Sequence, residues 1–153
     1  MPDMLVKLYD LPPLEPALVA AARAGYRIRR ALADDRSAVL TWMESLFPSW
    51  CAEVDVAFGH APVTCYLALR GQAVVGFACY DATCPNFFGP TGVADGDRGH
   101  GIGRALLLSA LHAQKAQGYG YAIIGGVGPR AYYKKAVNAV LIKGSTPGIY
   151  GTR

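Results

Sequence analysis

The feature that most constrains this chain is the glycine-rich run Arg98-Gly99-His100-Gly101-Ile102-Gly103, at which an extended segment passes into a long apolar helix. Glycine lets the backbone approach a ligand without interference from a Cβ atom, and the first N–H groups of a helix have no partner inside the helix. Together with the positive end of the helix dipole, these groups form a binding site for phosphate and other anions. The sequence therefore predicts an anion-binding turn.

The charge of the chain changes sign at the same place. Residues 1–97 contain seven Lys and Arg and all eleven Asp and Glu, a net charge of −4, whereas residues 98–153 contain eight Lys and Arg and no acidic residue, a net charge of +8. A segment without carboxylates favours an anionic ligand such as phosphate, a phosphorylated cofactor or nucleic acid. It also excludes a catalytic Asp or Glu from the second part of the chain.

Length and composition limit the class of protein. A chain of 153 residues with 52% apolar residues can bury a sizeable core as one domain. No run reaches the roughly 18 apolar residues of a membrane span, and Asp3, Lys7 and Asp10 interrupt the N-terminus where a signal peptide would be apolar. We therefore expect a cytoplasmic protein with no membrane partner. The four cysteines lack the spacing of a zinc site or a disulfide framework, so no metal is expected.

Hydrophobic periodicity and turn residues predict the order of helices and strands. Val39, Met43 and Leu46 recur at the spacing of one helix face, and Gly71-Gln72 joins two strand-like runs into a hairpin. Helices are predicted at 15–24, 34–47, 49–58, 102–117 and 130–137. Strands are predicted at 4–9, 26–32, 63–70, 73–81, 86–93, 121–124, 140–142 and 148–150. The first of these strands has the weak alternation of an edge strand.

The strand predicted at 86–93 contains an unusual pair, Gly89-Pro90. Proline has no N–H group for the ladder, so this strand is predicted to be bulged or only partly paired at that point. The unpaired backbone groups are then free to bind a ligand. An ordinary loop is the alternative interpretation of the same residues.

The spacing of the glycines distinguishes several kinds of anion-binding turn. The P-loop pattern G-x-x-x-x-G-K-[ST] is absent, and the dinucleotide pattern G-x-G-x-x-G fails both on spacing and on the acidic residue it requires about 20 residues later. The run Arg98-x-x-Gly101-x-Gly103 instead resembles the pyrophosphate loop of the GNAT superfamily of N-acetyltransferases, whose motif is [Gln/Arg]-x-x-Gly-x-[Gly/Ala]. The predicted order of elements over residues 26–150 is also similar to that superfamily.

This resemblance implies one GNAT-like domain over residues 1–153, with residues 1–25 as a strand–helix extension. The implied fold is α+β in three layers, with a mixed, mostly antiparallel sheet of about six to seven strands and about four to five flanking helices. Its fourth strand is bulged, and this is the strand at 86–93 when the strand of the extension is not counted. The implied co-substrate is acetyl-CoA, with its pantetheine arm along Thr91-Gly92-Val93. Its pyrophosphate is expected at the backbone N–H groups and positive charges of Arg98, Gly99, His100, Gly101, Ile102, Gly103 and Arg104.

The resemblance also implies direct transfer of the acetyl group to a primary amine of a small molecule or peptide, in a ternary complex. Tyr133 occupies the place at which many members have a tyrosine that protonates the leaving thiolate. The ordinary pKa of a phenol, near 10, suits a proton donor at neutral pH. The amine also needs a base, for which Glu53, Asp81 and His60 are the candidates, and Glu53 is taken forward.

Two other functions are left open. An acyl-CoA-binding regulatory module would keep the fold and the cofactor site without efficient transfer. A nucleic-acid-binding domain would use the basic residues that begin at Arg98, but the chain contains no recognisable motif of that kind, so nucleic acid is not an expected partner. The acceptor amine is undefined, and both a monomer and a homodimer are compatible with the sequence.

Overall fold

Seven strands form one mixed sheet in the computed structural model, which describes residues 1–152. The strands are β1 (Met4–Lys7), β2 (Arg27–Arg30), β3 (Cys65–Arg70), β4 (Ala73–Tyr80), β5 (Phe87–Val93), β6 (Tyr121–Ile124) and β7 (Val140–Leu141). Their order across the sheet is β2-β3-β4-β5-β6-β1-β7. Every neighbouring pair is antiparallel except β5 and β6, which are parallel. The predicted mixed, mostly antiparallel sheet is therefore confirmed.

Five α-helices cover the two faces of this sheet. They are α1 (Glu15–Arg23), α2 (Arg36–Leu46), α3 (Cys51–Phe58), α4 (Ile102–Ala116) and α5 (Arg130–Val137). Helices α1, α4 and α5 build the core on one face, and α2 and α3 build it on the other. This arrangement is the predicted three-layer fold. Within residues 1–152, no helix combines the length and the apolar character that crossing a bilayer requires.

Helix α4 is anchored along its length against the sheet. Its buried positions include every residue from Ala105 to Leu111. Gly76 of β4 permits a close approach, because a Cβ atom there would lie 3.1 Å from Cδ1 of Leu106. Each fully buried leucine contributes roughly 1.5–3 kcal/mol to stability. Packing of this extent holds the first turn of α4 in a set position relative to β5.

Two sequence predictions at the chain ends are wrong. The predicted edge strand at 4–9 is β1, which pairs with β6 on one side and with β7 on the other, so the edge is β7. Residues 148–150 were expected to be a strand, but they belong to a 3-10 helix, Gly148–Thr152. Gly148 has φ +61°, and the Tyr150 N–H donates to the Pro147 carbonyl at 3.3 Å, which is turn geometry and not the extended backbone of a strand.

Candidate active site

Strands β5 and β6 run in parallel but are paired only between the first two residues of β5 and the last two of β6. Their pairing ends at Phe88, which lies opposite Ile124. On its other side β5 stays paired with β4 as far as Val93, with a register shift at Gly89-Pro90. The predicted bulge is therefore present. Within the described part of the chain, the backbone edge of β5 beyond Phe88 on the side of β6 has no strand partner, because β6 ends at Ile124.

The glycine loop brings the first turn of α4 to this open edge of β5. Gly99 and Gly101 have φ values of +84° and +80°, a left-handed conformation that costs other residues about 1–2 kcal/mol. No side chain caps the helix, and its first N–H group with a backbone partner is that of Ala105, which donates to the Gly101 carbonyl at 3.1 Å. In residues 1–152, the N–H groups of 102–104 thus have no partner. They are donors available to an anion.

Gly103 is not required by the protein's own packing. A Cβ atom at this position would meet only Oη of Tyr132 and Cγ2 of Val93, each at 3.9 Å, which is ordinary van der Waals distance. Glycine in a helix is unfavourable by about 0.5–1 kcal/mol relative to alanine. The absence of a side chain here is explained if a ligand approaches the backbone at this point.

These elements surround a cavity of about 450 Å³, within the range of about 300–1,000 Å³ that is usual for small-molecule sites. Ten of the predicted site residues line it: Thr91, Gly92, Val93, Arg98, Gly99, Gly101, Ile102, Gly103, Arg104 and Tyr133. Arg98 and Arg104 are exposed, so their positive charges are accessible from solvent. The cavity therefore joins the open edge of β5, the free helical N–H groups and two cationic side chains.

Helix α5 adds two tyrosines to the cavity wall. Tyr133 is 8% exposed and packs edge-on against Phe88, with ring centroids 6.5 Å apart. Burial, followed by the neighbouring Tyr132, raises the pKa of the Tyr133 phenol to about 12. Tyr132 is 40% exposed, and burial of its ring raises the pKa of its phenol as well. Tyr133 is consequently a protonated hydrogen-bond donor throughout the neutral pH range.

Two predicted site residues lie outside this lining. The imidazole of His100 packs against the ring of Tyr26, with centroids 5.6 Å apart. The carboxylate of Glu53, on α3, accepts a hydrogen bond from Oγ1 of Thr83 at 2.8 Å. The predicted cofactor role of His100 and the base role of Glu53 are thus not supported by contact with the cavity, and both stay predictions.

The other candidate bases are engaged in the turn between β4 and β5. Nε2 of His60 lies 3.1 Å from the carbonyl oxygen of Asp81. The Asp81 carboxylate accepts the N–H of Asn86 at 2.7 Å. Burial, with smaller effects of Asp3 and Asp81, raises the pKa of the Cys84 thiol, so this cysteine is a poor nucleophile at neutral pH.

Phe88, Leu107 and Tyr132 complete the cavity lining and were missed by sequence reasoning. The chain contains a signal for one of them, Leu107. Leu107 lies four residues after Gly103, and side chains four apart share one face of a helix. Phe88 lies in the same strand as Thr91, but the bulge between them changes the alternation, which the sequence did not define.

A cluster of aromatic side chains lies where α2 and α3 meet, on the face of the sheet that these two helices cover. Phe47 stacks on Trp50 with centroids 5.6 Å apart, and its ring meets that of Phe77 edge-on at 5.6 Å. A Cβ atom at Gly92 would lie 2.8 Å from Cζ of Phe47. The glycine therefore allows the aromatic cluster to pack directly on the strand that borders the cavity.

Known structures share this architecture. A GCN5-related glucosamine N-acetyltransferase region of a fungal multi-domain GH3 β-N-acetylglucosaminidase is similar with a TM-score of 0.77 and 14% identity, over 92% of this chain and 19% of that chain. A GCN5-related N-acetyltransferase from Sphaerobacter thermophilus has a TM-score of 0.69 and 19% identity, over 92% of this chain and 48% of that chain. At these identities the likeness shows the fold, which is that of the GCN5-related N-acetyltransferases. This chain spans less than half the length of either protein.

In sequence, no protein-family model matches the chain, and no curated protein matches it.

Proposed function

We propose that this protein transfers the acetyl group of acetyl-CoA to a primary amine of a small molecule or peptide, directly and in a ternary complex. One observation carries the proposal: a single cavity joins an unpaired strand edge, three free helical N–H groups and a buried tyrosine. Acetyl-CoA presents an amide-bearing arm, a pyrophosphate and a thioester, which match these three features. The two similar structures, both of acetyltransferases, support the same reaction class by fold.

The open edge of β5 would bind the pantetheine arm as an added strand. Main-chain hydrogen bonds to Thr91, Gly92 and Val93 would hold its amides, as in other cases of strand addition. The free N–H groups of 102–104 and the charges of Arg98 and Arg104 would bind the pyrophosphate. The absence of a Cβ atom at Gly103 leaves room for that group.

The chemical step is the attack of the amine nitrogen on the thioester carbonyl, which forms a C–N bond and breaks the C–S bond. Positioning of the two reactants supplies a large part of the rate, and backbone donors near Val93 would stabilise negative charge on the carbonyl oxygen. The Tyr133 hydroxyl would give its proton to the leaving sulfur. The proton of the amine would pass to a base, for which Glu53 is the proposed residue.

Glu53 is proposed because α3, which carries it, packs on the face of the sheet opposite α4, where the acceptor would bind. It lies three residues after Trp50, which directly precedes α3 and belongs to the aromatic cluster that packs on Gly92. That cluster and the carboxylate together would form the wall against which the acceptor amine binds. Because Glu53 does not line the cofactor cavity, proton transfer would take place through the acceptor or a water molecule.

The proposal is tested by thermal unfolding with acetyl-CoA, followed by measurement of released CoA with amines of several classes. Saturation at about 100 times Kd should stabilise the fold by about 2.7 kcal/mol. Polyamines, aminoglycosides, amino acids and peptide N-termini are the first acceptors to compare. An unchanged Tm at saturating acetyl-CoA would rule the proposal out.

A regulatory module that binds acyl-CoA without transferring the acyl group is the second candidate. It is favoured by one observation: among the described residues, no carboxylate or imidazole lines the cavity. This function predicts the same rise in Tm with acetyl-CoA, but no CoA release with any amine. The release measurement therefore separates the two functions.

A further inference from the structure

A buried hydrogen-bonded network lies directly before the glycine loop. Asp97 is 4% exposed, although carboxylates are almost never fully buried unless they are paired. Its Oδ1 accepts hydrogen bonds from the Tyr26 hydroxyl at 2.8 Å and from Nη1 of Arg70 at 2.7 Å. Tyr26 directly precedes β2, and Arg70 ends β3. Three separate segments of the chain therefore meet at one oxygen atom.

The same network continues into the loop. Asp97 is adjacent in sequence to Arg98, the first loop residue, and the ring of Tyr26 packs against the imidazole of His100 with centroids 5.6 Å apart. Tyr26 thus bonds the residue before the loop through its hydroxyl and contacts His100, inside the loop, through its ring. Two glycines at positive φ give this loop many alternative conformations in the absence of such contacts.

The partners of Asp97 also determine its electrostatic effect. A carboxylate beside a pyrophosphate site would repel the ligand unless its charge were balanced. The guanidinium of Arg70 balances it, but the side chain of Arg70 is 61% exposed. The phenol of Tyr26 is buried, and its pKa is raised, first by the hydrogen bond to Asp97 and then by burial, so the donor keeps its proton at neutral pH.

We propose that Tyr26 and Asp97 are positioning residues, which hold the loop 98–103 in the conformation that directs the N–H groups of α4 at the anionic part of the ligand. This inference rests on the proposed function for the identity of that ligand. Neither residue lines the cavity, so both act through the loop and not by contact with acetyl-CoA. Residues that act in this way change ligand affinity by about 2- to 30-fold.

The test compares Tyr26→Phe with a matched control, Tyr66→Phe. Tyr66 also has a hydroxyl bonded to an arginine, Nη2 of Arg30 at 3.1 Å, but it lies near the start of β3, whereas the residue that meets Asp97, Arg70, ends that strand. For each protein we would measure the Kd for acetyl-CoA, the Tm without ligand, and the NMR order parameters of the backbone amides in 98–104. Tyr26→Phe should raise Kd by about 2- to 30-fold and lower the order parameters of the loop, whereas Tyr66→Phe should change neither.

Each outcome decides the inference. If Tyr26→Phe lowers Tm while Kd and the order parameters of the loop equal those of the wild type, the Tyr26–Asp97 bond is structural only and the inference is overturned. A variant Asp97→Asn, which keeps an oxygen acceptor, should retain higher loop order parameters than Asp97→Ala. If the wild-type protein does not bind acetyl-CoA, the proposed function fails, and the loop order parameters of the free proteins still decide the positioning role.

Discussion

Burial changes the chemistry of one side chain in the cavity, that of Tyr133. A phenol in water has a pKa near 10, and this one is raised to about 12, mainly because burial disfavours the phenolate. A higher pKa makes the group a poorer base and keeps it protonated. In the proposed acetyl transfer this group would therefore act as a proton donor to the leaving thiolate.

For Tyr133→Phe we expect the turnover number to fall by about 100-fold or more, since general acid catalysis contributes at least this much, while the Kd for acetyl-CoA stays close to the wild-type value. The wild-type rate should show no decrease from loss of this proton until the pH approaches 12. Steady-state kinetics over pH and a binding titration would measure both. Tyr119→Phe, which removes a hydroxyl outside the cavity lining, is the control, and equal rates for both variants would remove Tyr133 from the mechanism.

Gly103→Ala should change stability and binding in opposite directions. Alanine is favoured over glycine in a helix by about 1 kcal/mol, and no protein atom lies closer than 3.9 Å to the added Cβ, so the Tm should rise or stay constant. The same Cβ atom would occupy ligand space, and a loss of about 1.4 kcal/mol would raise the Kd for acetyl-CoA tenfold. Gly120→Ala is the control outside the cavity. Unchanged affinity in Gly103→Ala would show that no ligand approaches this backbone.

At the scale of elements, one ion pair connects β2 to the residue that directly precedes α2. Nη1 and Nη2 of Arg29 donate to the two carboxylate oxygens of Asp35 at 2.7 and 2.9 Å. The same carboxylate accepts the N–H of Leu32 at 2.7 Å. These contacts, with Arg29 first, lower the pKa of Asp35 below its ordinary value. The carboxylate therefore stabilises the folded state in its ionised form.

The lowered pKa of Asp35 sets the pH range in which its contribution appears. Stability from this group is complete above the unfolded-state pKa near 3.9 and is lost as the pH falls through the lower folded-state value. Asp35→Asn should thus lower the free energy of unfolding by about 1 kcal/mol at pH 7, with a smaller difference in acid. Urea unfolding at several pH values, with the exposed Asp34→Asn as control, would measure it. A loss that does not depend on pH would contradict this account.

Most elements could be predicted because their signals are local. The helical spacing of Val39, Met43 and Leu46 marks α2, and the deletion of a ladder N–H by Pro90 marks the bulge in β5. The secondary structure of 148–150 could not be predicted from local signals, because a short apolar run is extended or helical according to what it packs on. Here Gly148 lies so close to the Asp3 carboxylate that a Cβ atom on this glycine would be 3.2 Å from Oδ2 of Asp3, and the segment forms a 3-10 helix.

At the scale of the whole molecule, Asp3 connects segments that are far apart in sequence. Its N–H donates to Oγ of Ser145 at 2.8 Å, and its carbonyl accepts the N–H of Ile142 at 2.9 Å. Its carboxylate accepts the N–H of Gly126 at 2.8 Å. Strand β1 is thereby joined both to the loop after β6 and to the segment after β7.

Asp3→Ala should lower the free energy of unfolding by about 1–3 kcal/mol, because the Gly126 N–H would lose its partner. Chemical unfolding of the two proteins at pH 7 would measure the difference. Asp10→Ala, at an exposed position in the same terminal segment, should be within about 0.5 kcal/mol of the wild type. Equal stabilities for Asp3→Ala and Asp10→Ala would mean that the bond from the Gly126 N–H to the Asp3 carboxylate contributes nothing.

The sequence by itself determined the features that depend on neighbours within about one turn: the glycine loop, the helix that follows it, the bulge, and the change of charge at Arg98. Only the tertiary structure decided that β1 lies between β6 and β7, because Met4 and Ile124 are paired across 120 residues of chain. It alone placed Phe88 in the cavity wall, edge-on to Tyr133, and His100 against Tyr26. Local periodicity constrains which face of a segment is buried, whereas the side chains that meet there come from the packing of distant segments.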